Sequence, residues 1–543
     1  MASIDAGRSA RGFHSVLYPS AAVEAAQRRV DLRDPIHDLL LDRIFDAAYG
    51  VLAPLHRAAY ERGRQDDDEA WRDSVHATLR EYFAMPASDM ELARQRQDVA
   101  RDLDRDDIGV PMRAFQAAMI AMRASLHRSE RASGAIEQQG WILDAAQTYC
   151  NALEALQAGL DAAPPASLLL RLLGADLTAY RGATEYGEFA QRVASLAAEL
   201  AAVRYAVRIE GDQVTVLRDP AAQNFSTSVE QTFARFRQAD ARDYRTHFSV
   251  QTTMNHIEAQ IVERVALLVP DLFARLDAFC RRHADFADKR WLRLDRELAF
   301  YLLWGDFLRR LQSAGVSNCL PELVDDSGSI DVSAATDLAL ADQMAKSSQT
   351  VVGNNFALRG SERMIVVTGP NHGGKTTLAR VFGQLHHIAS LGLPVAAERA
   401  RLVFPDRIFT HFERAEDIAT QRGKLKDDLV RMRGILGQAS ARSVVVMNEV
   451  FSSTSLDDAI ELGRRIMAGL RRIGCCCIFV TFLDELAAFD GSTVSMVALV
   501  DPADPTLRTY KIARKPADGR AYAQALAEKY RVTRAWMDRR IAP

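Results

Sequence analysis

The residues with the clearest chemical potential form one short run, Gly369-Pro370-Asn371-His372-Gly373-Gly374-Lys375-Thr376, followed by Thr377. The spacing is Gly, four residues, then Gly-Lys-Thr, which suits a polyphosphate. Glycines let the backbone come close enough for its N–H groups to converge on anionic oxygens. The start of a following helix adds a field that favours negative charge. Lys375 supplies a mobile cation for the β- and γ-phosphates, and Thr376 offers a hydroxyl to Mg²⁺. A glycine turn that binds nothing would need no particular flanks, but this one has both that the chemistry requires. Met364–Thr368 is an apolar run that reads as a buried strand, and Leu378, Val381, Phe382, Leu385 and Ile388 share one face of a helix.

A second apolar run, Ser443 to Met447, ends in Asn448-Glu449. A carboxylate at the end of such a strand can orient or activate an attacking water. Strands of this kind usually end in Asp-Glu, with the Asp in the metal's shell. Asn448 keeps an oxygen acceptor there and loses a full charge, worth ~3 kcal/mol at about 5 Å for an effective dielectric of ~20. Weaker Mg²⁺ affinity or slow turnover is expected. A third apolar strand, Cys475 to Thr481, runs into Phe482, which has no hydrogen bond to offer a phosphate. Its three adjacent cysteines point alternately to opposite faces and lack metal-ligand spacing, so they read as reduced, buried strand residues.

These motifs need elements to hold them. The 543-residue chain exceeds one ordinary core, and its 48% apolar and 26% charged residues suit a globular, multidomain protein. A net charge of −3 excludes a globally basic nucleic-acid binder but not a local basic surface. No apolar run is long enough for a transmembrane helix and no secretory leader is visible, so the expected location is cytoplasmic. Residues 1–165 read as helical, with apolar periodicity over Ile36–Leu55, Trp71–Phe83, Met90–Leu103 and Pro111–Ser125; Ser88 and Asp89 are candidate caps. Residues 166–340 read as a further helical region interrupted by a β-hairpin at 205–217 around Gly211-Asp212. Helices are expected at about Asn255–His283 and Lys289–Ser313. The aromatics of the second, Trp291, Phe300, Tyr301, Trp304 and Phe307, are spaced for core packing rather than base stacking. Asp325–Ile330 reads as a loop. From 341 to 543 short Val/Ile runs alternate with amphipathic helices, the mark of an α/β domain with a largely parallel sheet. The predicted fold is a mainly α-helical region followed by an α/β P-loop ATPase domain.

With these residues in view, the chain resembles the MutS family of DNA mismatch-recognition ATPases. Thr368-Gly-Pro-Asn-His-Gly-Gly-Lys-Thr-Thr377 is similar to the family's TGPNMxGKST loop. Val352-Gly-Asn-Asn355 stands where the family has a P-N-D segment under the adenine, which implies a nucleotide contact for Asn355. Ile408-Phe-Thr410 with Ala415-Glu-Asp417, Val446-Met-Asn-Glu449 with Ser452-Ser-Thr-Ser455, Val480-Thr-Phe-Leu-Asp-Glu-Leu486, and Tyr510-Lys-Ile512 with Gly519, Ala521 and Tyr522 follow in family order. More weakly, Asp89–Leu103, with Arg94, Gln95, Arg96 and Gln97, resembles the start of the family's helical core. The resemblance implies ATP and Mg²⁺ as ligands, with Thr376 and Asn448 at the metal and Glu449 on the water. It also implies a homodimer through the ATPase domains, and DNA as partner. Three departures stand out: no Phe-x-Glu of the mismatch-reading wedge occurs, Gly423 replaces the serine that reaches a partner's nucleotide, and Phe482 replaces a histidine. The departures point away from mismatch repair proper. The alternative they favour is a nucleotide-gated protein scaffold with little hydrolysis and no DNA contact.

Overall fold

The computed structural model describes residues 12–27, 33–60, 66–210, 213–218, 256–413, 423–504, 506–517 and 530–541. Among them, helices dominate up to residue 311: α1 (Ala21–Ala25), α2 (Arg33–Asp38), α3 (Leu41–Tyr60), α4 (Asp66–Phe83), α5 (Met90–Asp104), α6 (Asp106–Arg131), α7 (Ala135–Ala162), α8 (Leu168–Arg181) and α9 (Thr184–Ala202). The hairpin β1 (Tyr205–Glu210) and β2 (Gln213–Arg218) follows, paired antiparallel from Tyr205↔Arg218 to Glu210↔Gln213. Its turn, Gly211-Asp212, lies outside the described residues. Then come α10 (His256–Leu268), α11 (Pro270–Arg282) and α12 (Lys289–Leu311).

Local chemistry explains several boundaries. Asp89 caps α5 by accepting from Leu92 N at 2.9 Å. The Pro164-Pro165 pair falls between α7 and α8. Three expectations need correction. The helix expected over Asn255–His283 is two helices, because Pro270 disfavours helical backbone at Val269 and itself opens α11. The segment Ile36–Leu55 is broken at Leu40, which is left-handed at φ 57° and separates α2 from α3. The helix expected to start at Pro111 begins at Asp106 and carries the proline inside it. The α7 residue facing Pro111 is Gly159, where a Cβ would lie 2.5 Å from the proline ring. The missing side chain at Gly159 leaves room for the proline ring between the two helices.

Helix α12 packs against α3, α4 and α6. Its Trp291, Phe300, Tyr301, Trp304 and Phe307 are all buried, so these aromatics are core. The helix also anchors the segment before α1. The buried Glu297 accepts from Ser15 Oγ at 2.7 Å and Val16 N at 2.9 Å, with Arg293 Nε 2.5 Å away.

Two sheets follow. One has the order β3 (Glu322–Val324), β7 (Arg399–Val403), β4 (Ser329–Ala335), β5 (Asn354–Arg359). The Asp325–Gly328 turn joins β3 to β4, though Ser329 and Ile330 of the expected loop already belong to the strand. The larger sheet runs β12 (Arg508–Arg514), β11 (Thr493–Val500), β6 (Met364–Thr368), β10 (Cys476–Val480), β9 (Val444–Asn448), β8 (Ile408–Phe412). All neighbours are parallel except the β11–β12 pair. Helices α13 (Leu338–Lys346), α14 (Lys375–Ser390), α15 (Lys424–Gln438), α16 (Leu456–Ile473) and α17 (Arg534–Ile541), with 3-10 turns at Gln312–Ala314 and Asp484–Ala488, complete the described elements. Strands β6, β9 and β10 are buried at every position, as expected for a sheet covered on both faces. Cys475, Cys476 and Cys477 are buried free thiols.

Helix α5 joins the helical part to the sheets through polar side chains. Gln97 Nε2 donates to Pro321 O at 2.9 Å and Arg94 to Leu323 O at 3.1 Å. The buried Arg96 donates to Leu17 O at 3.1 Å, lies 5.0 Å from the Tyr18 ring centroid, and reaches Leu391 O at 3.5 Å. Gly392, at φ 78°, has no room for a Cβ, which would sit 2.4 Å from Arg96 Cβ. Arg96→Met removes these bonds and strands the carbonyls, so it should cost about 2–4 kcal/mol. A fall in the thermal unfolding midpoint is the check, with Arg101→Met on the exposed face of α5 leaving it unchanged.

Candidate functional site

The C-terminal ends of β6, β9 and β10 open onto one edge of the large sheet, where ligands of open α/β folds gather. From β6 the chain turns through Gly369–Gly374 into α14. Gly369 has φ 114°, and a Cβ there would lie 3.0 Å from Ala498 N and 3.1 Å from Ala498 O of β11. At Gly373 a Cβ would come within 2.9 Å of Ala498 Cβ. Gly374, at φ 90°, is the N-cap of α14. His372 also takes a left-handed conformation, φ 61°. Arg508 Nε, from β12, holds the outer side of the turn through Asn371 O at 3.0 Å. Pro370 is buried, while Asn371 and His372 face solvent.

Lys375 is only 5% exposed. Its ammonium donates to Gly369 O at 2.6 Å and Pro370 O at 3.2 Å, and the Phe482 ring centroid lies 4.3 Å away. Burial pulls its pKa down to about 8, opposed by the charge of Glu449 and assisted by that of Arg508. Thr376, the next residue, donates from Oγ1 to Asn448 Oδ1 at 2.9 Å. Thr377 follows on the first turn of α14.

Glu449 follows β9 with φ 55°, its N–H bonded to Val480 O at 2.9 Å. Burial raises the pKa of its carboxyl; Lys375 lowers it and Glu413 raises it further. Lys375, Thr376, Asn448 and Glu449 are therefore neighbours on one edge. Asn355 is elsewhere in its bonding: its Oδ1 accepts from Ala334 N at 2.8 Å. Its neighbour Asn354 donates to Tyr510 O of β12 at 3.0 Å. Thr481 turns its hydroxyl to Leu483 N, 3.1 Å away, and Phe482 is half exposed. The segment Ala415-Glu-Asp417 and residues Gly519, Ala521 and Tyr522 lie outside the described residues.

Several residues here escape sequence reasoning. Glu413, just past β8, pairs with Lys424 and accepts from Ser452 Oγ at 3.0 Å. Asp428, on α15, accepts from Phe451 N at 3.2 Å and lies 3.0 Å from His411 Nε2. Arg508 was likewise unmarked. None carries a local signal, because strand ends far apart in sequence bring them together.

Fold and site together define an α/β domain, set against a helical region, with a glycine-rich turn and a carboxylate on one strand edge. Residues 365–529 match the family model described as MutS domain V. The DNA mismatch repair protein MutS of Zymomonas mobilis is 34% identical over 189 residues, 33% of this chain and 22% of that protein. MutS of Chloroflexus aurantiacus is 29% identical over 177 residues, 32% of this chain and 17% of the relative. Endonuclease MutS2 of Thermus thermophilus is 30% identical over 180 residues, 33% of this chain and 24% of the relative. The chain is similar to MutS-family proteins through its C-terminal region, and it spans about a fifth of the length of these curated relatives.

An anion that pairs with Lys375 raises the pKa that burial has depressed. Binding of pyrophosphate should therefore take up a proton near and above pH 8. Its affinity should weaken as the pH rises further, by up to about tenfold per unit. Calorimetry in buffers of different ionisation enthalpy reads the uptake, which should vanish in Lys375→Met.

Proposed function

We propose that this chain is a Mg²⁺-dependent P-loop ATPase of the MutS type. It uses nucleotide binding to move its helical region against a DNA partner. The observation that carries the reading is the 2.9 Å bond from Thr376 Oγ1 to Asn448 Oδ1, formed beside the buried Lys375 and Glu449. Two hard oxygens from the start of α14 and the end of β9 are thereby placed side by side. Both suit Mg²⁺, which prefers oxygen ligands and retains several waters. The ion, when bound, neutralises charge on the β- and γ-phosphates.

The chain's own residues divide the work. The turn Gly369–Gly374 admits the phosphates, since nothing projects from its glycines. Lys375 leaves the carbonyls of Gly369 and Pro370 for the β- and γ-phosphates. Glu449, its pKa raised by burial, orients water and accepts a proton more readily than a free carboxylate. Exposed apolar side chains at Leu429, Val430, Leu456 and Phe482 lie on the elements that carry the site and suit contact with a second copy. DNA as partner comes from what the relatives are called, and the helical region is the part that would move. No helix among the described residues is long and apolar enough to cross a membrane.

The scaffold reading draws support from the Phe482 ring over Lys375, which offers no hydrogen bond to a phosphate, and from the neutral Asn448, which brings no charge to a metal. Turnover measured with and without duplex DNA separates the two, since the scaffold hydrolyses ATP very slowly and shows no DNA stimulation.

Lys375→Ala should abolish ATP binding, while Glu449→Gln should retain bound ATP and lose hydrolysis by about 100-fold or more. Filter binding and single-turnover assays decide this, and tight ATP binding by Lys375→Ala protein sinks the assignment. Asn448→Asp restores a charge beside Thr376 and should tighten the Mg²⁺ requirement by about tenfold or more, read from the Mg²⁺ dependence of turnover.

A further inference from the structure

We infer that Asp428 is a positioning residue for Glu449, acting through a clamp on the backbone that carries it; this rests on the hydrolytic reading of Glu449. Glu449 and Phe451 both take left-handed conformations, at φ 55° and φ 66°. Neither is glycine, so each is held at a cost that the surroundings must meet. On the near side, Glu449 N bonds to Val480 O of β10 at 2.9 Å. On the far side, the Phe451 N–H donates to Asp428 Oδ2 at 3.2 Å. Asp428 is the side chain recorded there, and it comes from α15 rather than from the sheet.

Asp428 is itself held. Its other oxygen, Oδ1, lies 3.0 Å from Nε2 of His411, the penultimate residue of β8. The two side chains are 13% and 2% exposed. A ring nitrogen facing a carboxylate oxygen at this distance carries the proton, so His411 donates and Asp428 keeps both oxygens as acceptors. Further along α15, Arg431 donates to Thr410 O at 3.3 Å and lies 3.4 Å from Asp34 and 3.8 Å from Asp38 of α2. Thr410 Oγ1 in turn donates to Asp38 Oδ2 at 2.6 Å. The helix is thus pinned to the edge strand by two residues on one face, and Asp428 reaches Phe451 from a fixed base.

The consequence is specific. Asp428 touches neither the glycine turn nor Lys375, so its loss should leave nucleotide binding intact. What it governs is the path of residues 449–451, and with it the direction of the Glu449 carboxylate. Carboxylates that act on water tolerate little angular error.

The test uses the full chain with Asp428→Ala and Asp428→Asn. Amide exchange at Phe451, followed by mass spectrometry on short peptides, should quicken by about tenfold or more in Asp428→Ala. ATP turnover should fall by about tenfold or more while the Kd for ATP stays within about twofold. Asp428→Asn, which keeps one acceptor oxygen, should recover part of both effects. Unchanged exchange at Phe451, or a Kd that loosens in step with turnover, overturns the proposal. Faster exchange in Asp428→Ala, from a wild type that hydrolyses no ATP, upholds the clamp and sinks the hydrolytic reading instead.

Discussion

Strand β11 runs so close to the turn after β6 that no side chain fits between them. Ala498 occupies the space that a Cβ on Gly369 or Gly373 would need, and the backbone at Gly369 is left-handed besides. This steric limit sets the course of the chain from the buried strand to the first turn of α14. It fixes where Lys375 and Thr376 emerge, and so which residues of the next strands they meet. The parallel register of β6, β10 and β9 then brings Asn448 to Thr376 and leaves Glu449 facing Lys375.

Around that edge, charges are buried in small opposed sets rather than singly. Lys375 is desolvated but rests on two carbonyls and an aromatic face. Glu449 is desolvated and shares the field of Lys375. Asp428 sits between His411 and a backbone N–H. Each set is costly to break, because an unpaired charge in such a place keeps its full desolvation penalty. Polar side chains also join the helical part to the sheets, where Gln97, Arg94 and Arg96 donate to the backbone carbonyls of Pro321, Leu323 and Leu391.

Much of the architecture is legible from local pattern. Apolar periodicity marks α5 and α12, Asp89 announces its own helix, and alternation about Gly211-Asp212 marks the hairpin. Where pattern misleads, backbone chemistry is the cause. Apolar spacing continues across Val269-Pro270 although the helix cannot, and it gives no sign that α6 begins upstream of Pro111, whose ring fits against Gly159 of α7.

The residue types of the site, the glycine turn with Lys375 and Thr376 and the strand ending in Asn448-Glu449, follow from sequence alone, because each motif is contiguous and its chemistry depends on neighbours along the chain. The meeting of those motifs does not. Thr376 and Asn448, Lys375 and Phe482, Asp428 and Phe451 are joined only by strand order in the parallel sheet and by the packing of α15 on its edge. Local spacing determines what a segment can do, whereas contacts between segments depend on crossover connections, whose register is set by the buried faces of the whole sheet.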